Sequence, residues 1–186
     1  MSHYFWQTER IRLRGVEPDD WKVHFEWDRD SDMVRDLSNL HFPNNKARTQ
    51  KWAEDASTKI PDGDNYHMQI ELVETEALIG VISSHHTDTR NGIFKYGVAI
   101  HADYQRQGYA SEAIILLMRY FFHELRYQKC ESEVHGWNTN SIRLQETLGF
   151  TKEGQIRRSI YSRGQYHDRY LYGITIEEFN ERYAQE

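Results

Sequence analysis

The spacing of hydrophobic and polar residues predicts a chain of strands and helices. Residues 8–14 alternate polar and apolar side chains, which indicates a first strand with Ile11 and Leu13 facing inward. Pro18 suits the first position of a helix, because that position leaves its N–H unbonded in any case. A further helix is predicted over residues 46–56.

Three strands are predicted in the middle of the chain, at residues 66–73, 78–84 and 93–100. The last two are joined by Arg90-Asn91-Gly92, and an Asn-Gly pair favours a tight hairpin turn. We therefore expect an antiparallel meander that ends in the strand at 93–100.

A long helix is predicted to begin near Gly108, because apolar residues recur after it at helical spacing. These residues are Ala113, Ile114, Leu117, Met118, Phe121 and Leu125. The loop before this helix ends where several backbone N–H groups lack an intrahelical partner and the helix dipole is positive. Such a position suits a phosphate group, and Arg106 adds a guanidinium beside it.

Further elements are predicted in the C-terminal third of the chain. They are a strand at 129–134, a helix at 141–148 closed by Gly149, strands at 150–161 and 165–174, and a last helix from Thr175. No linker-like segment interrupts this order. The sequence therefore predicts one mixed α/β domain over residues 1–186.

Composition and charge restrict the class of protein. The 186 residues are 38% hydrophobic and 28% charged, as in globular proteins, and no apolar run is long enough to cross a membrane. A net charge of −6 disfavours nucleic-acid partners, including an RNA-binding module, because these need basic surface. One cysteine, Cys130, and no apolar signal segment at the start favour a cytoplasmic location.

Acidic residues are concentrated between Glu17 and Asp36. Eight carboxylates stand there against Lys22, Arg29 and Arg35, an excess of five negative charges. Charge runs of this kind are usually a solvated helical face. The alternative is a patch that attracts a cationic acceptor.

The loop before the long helix carries a signature. Gln105-Arg106-Gln107-Gly108-Tyr109-Ala110 resembles the Gln/Arg-x-x-Gly-x-Gly/Ala motif of the GCN5-related N-acetyltransferases. In that family the loop holds the pyrophosphate of acetyl-CoA. An ordinary glycine-containing turn between strand and helix is the alternative.

Other segments resemble one branch of this family, typified by the ribosomal-protein N-terminal acetyltransferases (RimJ/RimL type). Asn138-Thr139-Asn140-Ser141 followed by Leu148-Gly149-Phe150-Thr151-Lys152-Glu153-Gly154 resembles its Asn-x-x-Ser … Leu-Gly-Phe-x-x-Glu-Gly pattern. Residues 8–14 resemble its opening strand, and Gly164-Gln165-Tyr166-His167-Asp168 resembles the Gly-x-Tyr-x-Asp near its end. The matching segments extend in order over nearly the whole chain.

The resemblance implies a mixed sheet of six or seven strands, flanked by helices and splayed between its fourth and fifth strands. In the family the pantetheine arm of CoA enters that gap. The residues that would then bind acetyl-CoA are Val98, Ala99, Ile100, Gln105, Arg106, Gln107, Gly108, Tyr109, Ala110, Ser111 and Asn138. The resemblance implies no metal ion.

Three residues are candidates for catalysis. The resemblance places Ser141 near the thioester sulfur, where its hydroxyl would give the departing thiolate a proton or a hydrogen bond; its alternative role is to begin a helix. Glu133 is the first candidate for the general base and Glu71 the second, each with the alternative of an exposed strand carboxylate. The strand at 157–161 carries no carboxylate, although some relatives have one, and Thr147 stands where lysine is frequent.

Histidine and cysteine give weaker indications. His85 and His86 resemble a metal-ligand pair, but neighbouring residues of a strand are expected to point to opposite faces. Cys130 could carry an acyl group, but we expect a buried thiol, because these enzymes normally transfer the group directly.

The leading hypothesis is an N-acetyltransferase that moves the acetyl group of acetyl-CoA to a primary amine by direct attack in a ternary complex. The acceptor would be a protein N-terminal α-amine, a polyamine or an amine-bearing small molecule, and the acidic stretch favours a cationic one. The alternative is a non-catalytic acyl-CoA-binding regulator with the same fold. A homodimer is a family expectation.

Overall fold

Seven strands form the sheet that carries the helices in the described part of the chain. The computed structural model describes residues 4–37 and 40–183, and of residues 36 and 37 only the backbone. The strands are β1 (Ile11–Arg14), β2 (His67–Leu72), β3 (Leu78–Asp88), β4 (Ile93–Ile100), β5 (Lys129–His135), β6 (Thr151–Ser162) and β7 (Gln165–Thr175). The helices are α1 (Trp21–Trp27), α2 (Ser31–Leu37), α3 (Lys46–Thr58), α4 (Tyr109–Arg119), α5 (Thr139–Leu148) and α6 (Ile176–Tyr183).

The strand order is β1-β2-β3-β4-β5-β7-β6, with β4 and β5 parallel. The pairs β1–β2, β2–β3, β5–β7 and β6–β7 are antiparallel. Pairing between β4 and β5 covers only Ile93–Lys95 and Lys129–Glu131, although β4 continues to Ile100 and β5 to His135. The predicted mixed α/β fold is confirmed, and the short β4–β5 pairing agrees with the predicted splay.

The described residues form two compact units. Unit 1 extends to Ser84 and includes Gly97–Leu117, whereas unit 2 contains His85–Tyr96 and the chain from Met118 onward. The single domain over residues 1–186 stays a prediction, and its ends at 1–3 and 184–186 lie outside the described residues.

Unit 1 has a core of aliphatic side chains from strands and from α4. Ile11 and Leu13 are buried, as the alternation in the sequence predicts. They share this core with Ile70, Ile79, Ile82, Ala113, Ile114 and Leu117. Burial of these residues fixes the last part of β4 and the start of α4 on a rigid support.

The opposite side of β1 and β2 in unit 1 carries an ion-pair network. Arg14 binds both carboxylate oxygens of Asp20 at 2.9 Å and Glu71 at 2.6 Å, and Arg12 binds Glu71 at 3.0 Å. Burial acts to raise the pKa of Asp20, but hydrogen bonds from Arg14 and from the backbone of Glu17 outweigh it and hold that pKa below its ordinary value. This network joins the first strand to the segment that begins α1.

Aromatic packing dominates the core of unit 2. Phe94 stacks on Phe121 with ring centroids 4.0 Å apart, and Tyr127 packs edge-on against both rings. After α4 the chain continues in a π-helical segment, Tyr120–Glu124, whose wider turn ends with the N–H of Leu125 donating to the carbonyl of Tyr120 at 3.2 Å.

Strand β6 is an edge of the sheet in unit 2. Its pairing with β7 is interrupted between Ile156 and Ile160, where Arg158 has a φ of 51°. The carboxylate of Asp168 accepts the N–H of Arg158 at 2.8 Å. The edge strand is therefore bent rather than straight.

Two helices, α1 and α2, lie in the acidic stretch. Trp27 is the buried residue of α1, whereas Trp21 and Phe25 are half-buried. The acidic stretch breaks after Trp27, because the carboxylate of Asp30 accepts the N–H groups of Asp32 and Met33 and starts α2.

No helix in the described ranges is long and apolar enough to span a membrane.

Candidate functional site

In unit 1 the loop after β4 is folded by its own glutamine side chains. Gln105 donates from its side-chain amide to the carbonyl of Ile100 at 2.9 Å, and Gln107 donates in the same way to the carbonyl of Asp103 at 3.2 Å. These amides shape the loop. A ligand is therefore left with the backbone N–H groups at the start of α4.

Two residues of this loop have left-handed backbone conformations. Arg106 has a φ of 61° and Gly108 a φ of 89°. A Cβ atom at Gly108 would lie 3.0 Å from Nη2 of Arg10, so a side chain there would be both strained and crowded. We call the loop Gln105–Ser111 the cradle: it leads into a helix N-terminus, a position that suits an anion, and the guanidinium of Arg106 is exposed on it.

Replacing Gly108 with alanine tests this cradle. We expect the affinity for CoA to fall about tenfold, because the loop must move to relieve a strained φ and a close contact. Isothermal titration with CoA measures it. Gly164→Ala is the matched control, since Gly164 also has a positive φ (78°) but nothing within 4 Å of its Cβ position. Equal affinity of both variants and the native protein would contradict the assignment.

The remaining residues predicted to bind CoA in unit 1 follow one another along strand, loop and helix. Val98 is half-buried in β4, and Ala99 and Ile100 are each 8% exposed. Tyr109, Ala110 and Ser111 form the first turn of the eleven-residue helix α4, and their N–H groups have no carbonyl four residues earlier in the helix. The positive end of the helix dipole favours an anion at this turn.

In unit 2 the structure brings Asn138 and Ser141 together at the start of α5. The side chain of Asn138 accepts the backbone N–H of Ser141 at 2.9 Å, so Asn138 is the N-cap. Ser141 is the third helical residue and takes part in the cap through its backbone alone. Its half-buried hydroxyl is therefore not needed to start the helix.

A buried polar network, which no sequence pattern indicated, holds α5 on the strands of unit 2. Tyr96 donates its hydroxyl to the side-chain oxygen of Gln145 at 2.8 Å, and Ser132 bonds the same hydroxyl. All three side chains are at most 5% exposed, and burial raises the pKa of Tyr96 strongly. Tyr96 directly follows the last β4 residue that pairs with β5, so side-chain bonds continue where the backbone pairing ends.

Glu133, the first candidate base, is held by two cations in unit 2. Lys95 and Arg169 each approach its carboxylate to 2.6 Å. The hydrogen bond from Lys95, followed by that from Arg169, lowers the pKa of Glu133. A carboxylate stabilised in this way is a weak proton acceptor.

Glu71, the second candidate, is 6% exposed on β2, so the alternative of an exposed strand carboxylate is wrong for this residue. Its oxygens are bound by Arg12 and Arg14. Both guanidinium groups reach it from the neighbouring strand β1, where Arg12 pairs with Glu71 in the register. The structure thus gives Glu71 a role in the ion-pair network of unit 1.

The expectation that His85 and His86 point to opposite faces of β3 is also wrong. His86 has a φ of 50°, which breaks the strand alternation, and its ring lies 5.3 Å from that of His85. Cys130 is fully buried as predicted, and burial raises the pKa of its thiol. Among the residues of ranges 4–37 and 40–183, no group of three or more metal-ligating side chains is placed to hold a metal ion.

A cluster of imidazole and indole rings lies in unit 1, and no periodic pattern of residues predicts it. His24 bonds the side-chain oxygen of Gln69 at 3.0 Å and packs edge-on against Trp52 at 4.6 Å. Trp27 stacks on His101 directly after β4, with ring centroids 5.9 Å apart. Burial lowers the pKa of His24 and so favours the neutral form of this imidazole.

A cavity of about 690 Å³ lies elsewhere in unit 1, between the C-terminal end of α1 and the start of α3. Asp28 lines it together with Arg29 and Lys46. No residue of the loop Gln105–Ser111 lines this cavity.

Fold and loop together define the class: a mixed α/β protein whose fourth strand leads through a glycine loop into a helix N-terminus suited to a diphosphate. The model of the acetyltransferase (GNAT) domain matches residues 10–151. The chain belongs to this family of acetyl-transferring enzymes.

Individual relatives agree with the family. The SPbeta prophage-derived uncharacterized N-acetyltransferase YokL of Bacillus subtilis (strain 168) is 36% identical over 179 residues, which cover 96% of this chain and 97% of that protein. Spermidine N(1)-acetyltransferase of Escherichia coli (strain K12) is 28% identical over 159 residues, covering 85% and 82%. The branch of the ribosomal-protein acetyltransferases stays a prediction.

A solved structure shows the same fold. Spermidine N-acetyltransferase from Vibrio cholerae in complex with CoA and spermine has a TM-score of 0.79 over 92% of this chain and 99% of that one, at 17% identity.

Proposed function

We propose that this enzyme takes the acetyl group from acetyl-CoA and transfers it to the primary amine of a cationic acceptor of the polyamine type. The observation that carries the donor is the open loop before α4, where Gly108 adopts a φ of 89°. In the proposal, Gln105–Ser111 hold the diphosphate, Val98–Ile100 offer backbone groups to the pantetheine arm, and Asn138 contacts that arm from the start of α5.

The chemistry requires an activated acyl group, which the thioester supplies. The chain orients the two substrates and stabilises the departing thiolate. In the proposal the Ser141 hydroxyl, which the helix cap does not use, gives this thiolate a proton or a hydrogen bond.

The acidic stretch of unit 1 supports a cationic acceptor. Its basic residues are already paired with carboxylates three positions earlier in the chain: Lys22 with Asp19, Arg29 with Glu26 and Arg35 with Asp32. Glu17, Asp28 and Asp30 instead accept bonds from neutral donors, such as the amide of Asn44 to Asp28 at 2.9 Å. These carboxylates keep an uncompensated negative charge that attracts a polyamine. Two of the relatives described above are named as spermidine acetyltransferases.

The pKa of the acceptor amine determines how much the enzyme must assist its deprotonation. An α-amine has a pKa near ~8, whereas an alkyl amine resembles lysine at ~10.4. Glu133 and Glu71 stay predictions for the base, and both are held by cations in this structure. With a polyamine acceptor we therefore expect the rate to rise with pH above 7, as the fraction of neutral amine rises.

An acceptor screen that detects free CoA tests the proposal. The panel contains spermidine, spermine, an aminoglycoside and peptides with free N-termini, each with acetyl-CoA. We expect release of CoA to be fastest with the polyamines. Faster release with a peptide would overturn the acceptor class, and binding of CoA without release for every amine would favour the acyl-CoA-binding regulator. The homodimer and the cytoplasmic location stay predictions.

A further inference from the structure

Arg10, in the segment that leads into β1, contacts the loop before α4 inside unit 1. Its Nε donates to Glu112 at 2.7 Å, its Nη2 makes a second bond to the same carboxylate, and its Nη1 donates to the carbonyl of Gln107 at 3.0 Å. The guanidinium also lies over the ring of Tyr109, 4.8 Å from its centroid. One side chain thus binds the loop, its glycine turn and the first turns of the helix.

Thr8 holds Glu112, the carboxylate partner of Arg10, in place. Its hydroxyl donates to the second carboxylate oxygen of Glu112 at 2.6 Å and accepts the N–H groups of Arg10 and Ile11 at 3.1 Å each. Glu112 is therefore held from two sides by the N-terminal segment. We call Thr8, Arg10 and Glu112 the clasp.

We propose that Arg10 is a positioning residue for the acetyl donor: through the clasp it holds the loop Gln105–Ser111 in the shape that receives the diphosphate of CoA. The inference rests on the donor named under the proposed function and adds a residue that the loop motif does not contain. Arginine suits this role because its planar fork binds a carboxylate and a carbonyl at once and stacks on a ring.

The clasp also removes an electrostatic conflict. Glu112 lies in the first turns of α4, close to the N–H groups that would bind a diphosphate, and an unpaired carboxylate there would repel it. The two bonds from Arg10 neutralise that charge. The N-terminus of the helix can then act on an anion.

Arg10→Lys and Glu112→Gln test the inference. Lysine keeps the positive charge but lacks the fork, and we expect the Kd for CoA and the KM for acetyl-CoA to rise about tenfold, as when a charge-assisted hydrogen bond is lost. Turnover at saturating acetyl-CoA is expected to stay within about twofold of native, because the substitution weakens binding of the donor equally in the ground state and in the transition state. Glu112→Gln weakens the bonds of the clasp but also removes the carboxylate that would repel the diphosphate, so the smaller rise in the Kd for CoA that we expect for it reports the shape of the loop and not its charge.

Acetyl-pantetheine distinguishes positioning of the loop from a general effect on the fold, because it lacks the diphosphate. We expect its kcat/KM to be the same for the native protein and both variants. Asp55→Asn is the matched control, since it removes an exposed ion pair with Lys51 on α3.

Native affinity for CoA in both variants would overturn the inference. Equal losses with acetyl-CoA and acetyl-pantetheine would overturn it as well. A native protein that takes up no CoA would instead refute the donor proposed above.

Discussion

Replacing Ser141 with alanine is expected to lower turnover about 100-fold at saturating acetyl-CoA and amine, the usual size of the loss when a proton donor is removed. The substitution leaves the helix cap intact, because the side chain of Asn138 accepts the backbone N–H of residue 141, which alanine retains. Detection of free CoA with acetyl-CoA and the amine both at saturating concentration measures the effect. Titration with CoA verifies that the donor still binds.

Asn138→Ala is expected to lower stability, in contrast to the loss of turnover expected for Ser141→Ala. It removes the cap and is expected to reduce the free energy of unfolding by about 1 kcal/mol.

Ser57→Ala serves as the control for loss of the hydroxyl in Ser141→Ala, since Ser57 only donates to the carbonyl of Glu54 on the exposed side of α3. Native turnover in Ser141→Ala would exclude its hydroxyl from the reaction.

Replacing Arg14 with leucine is expected to reduce the free energy of unfolding by about 3 kcal/mol, because it leaves two largely buried carboxylates short of a partner. Asp20 loses both of its bonds to the guanidinium, and Glu71 keeps only Arg12. Denaturant unfolding at pH 7 measures the difference. Arg29→Leu is the control, because the ion pair of Arg29 with Glu26 is exposed and is expected to contribute less than about 1 kcal/mol.

The same network predicts a dependence of stability on pH. The folded pKa of Asp20 lies below its value in the unfolded chain, about 3.9. The network therefore stabilises the native protein fully above about pH 4 and loses this contribution as the pH falls through the folded pKa. In Arg14→Leu the loss of stability in acid is expected to be shallower. Parallel profiles for the two proteins would contradict this account.

The elements that the sequence predicts well are those set by local signals. The bounds of β4, Ile93–Ile100, agree residue for residue, because an Asn-Gly turn precedes the strand. Helix α5 ends at Gly149, whose φ of 89° closes it as predicted. The break between α1 and α2 was missed, since it depends on which of many similar carboxylates caps the second helix.

Partners that are distant in sequence could not be predicted. Arg10 and Glu112 are 102 positions apart, and Glu133 and Arg169 are 36 apart, so only the folded chain brings them together. The sequence therefore predicts Glu133 as a candidate base or an exposed strand carboxylate, without its two cationic partners. The family motif gives the loop but not the side chains that hold it, because a motif records residue types along the chain and not their contacts across it.

The bend in β6 has a consequence for how the molecule behaves at high concentration. A straight, uncharged border strand offers a row of free amide and carbonyl groups on which another molecule can extend the sheet. The kink at Arg158, held by Asp168, interrupts that row, and the guanidinium groups of Arg157 and Arg158 add like charges that repel an identical neighbour. The bend and these charges thereby disfavour fibril-like stacking at this border of the sheet.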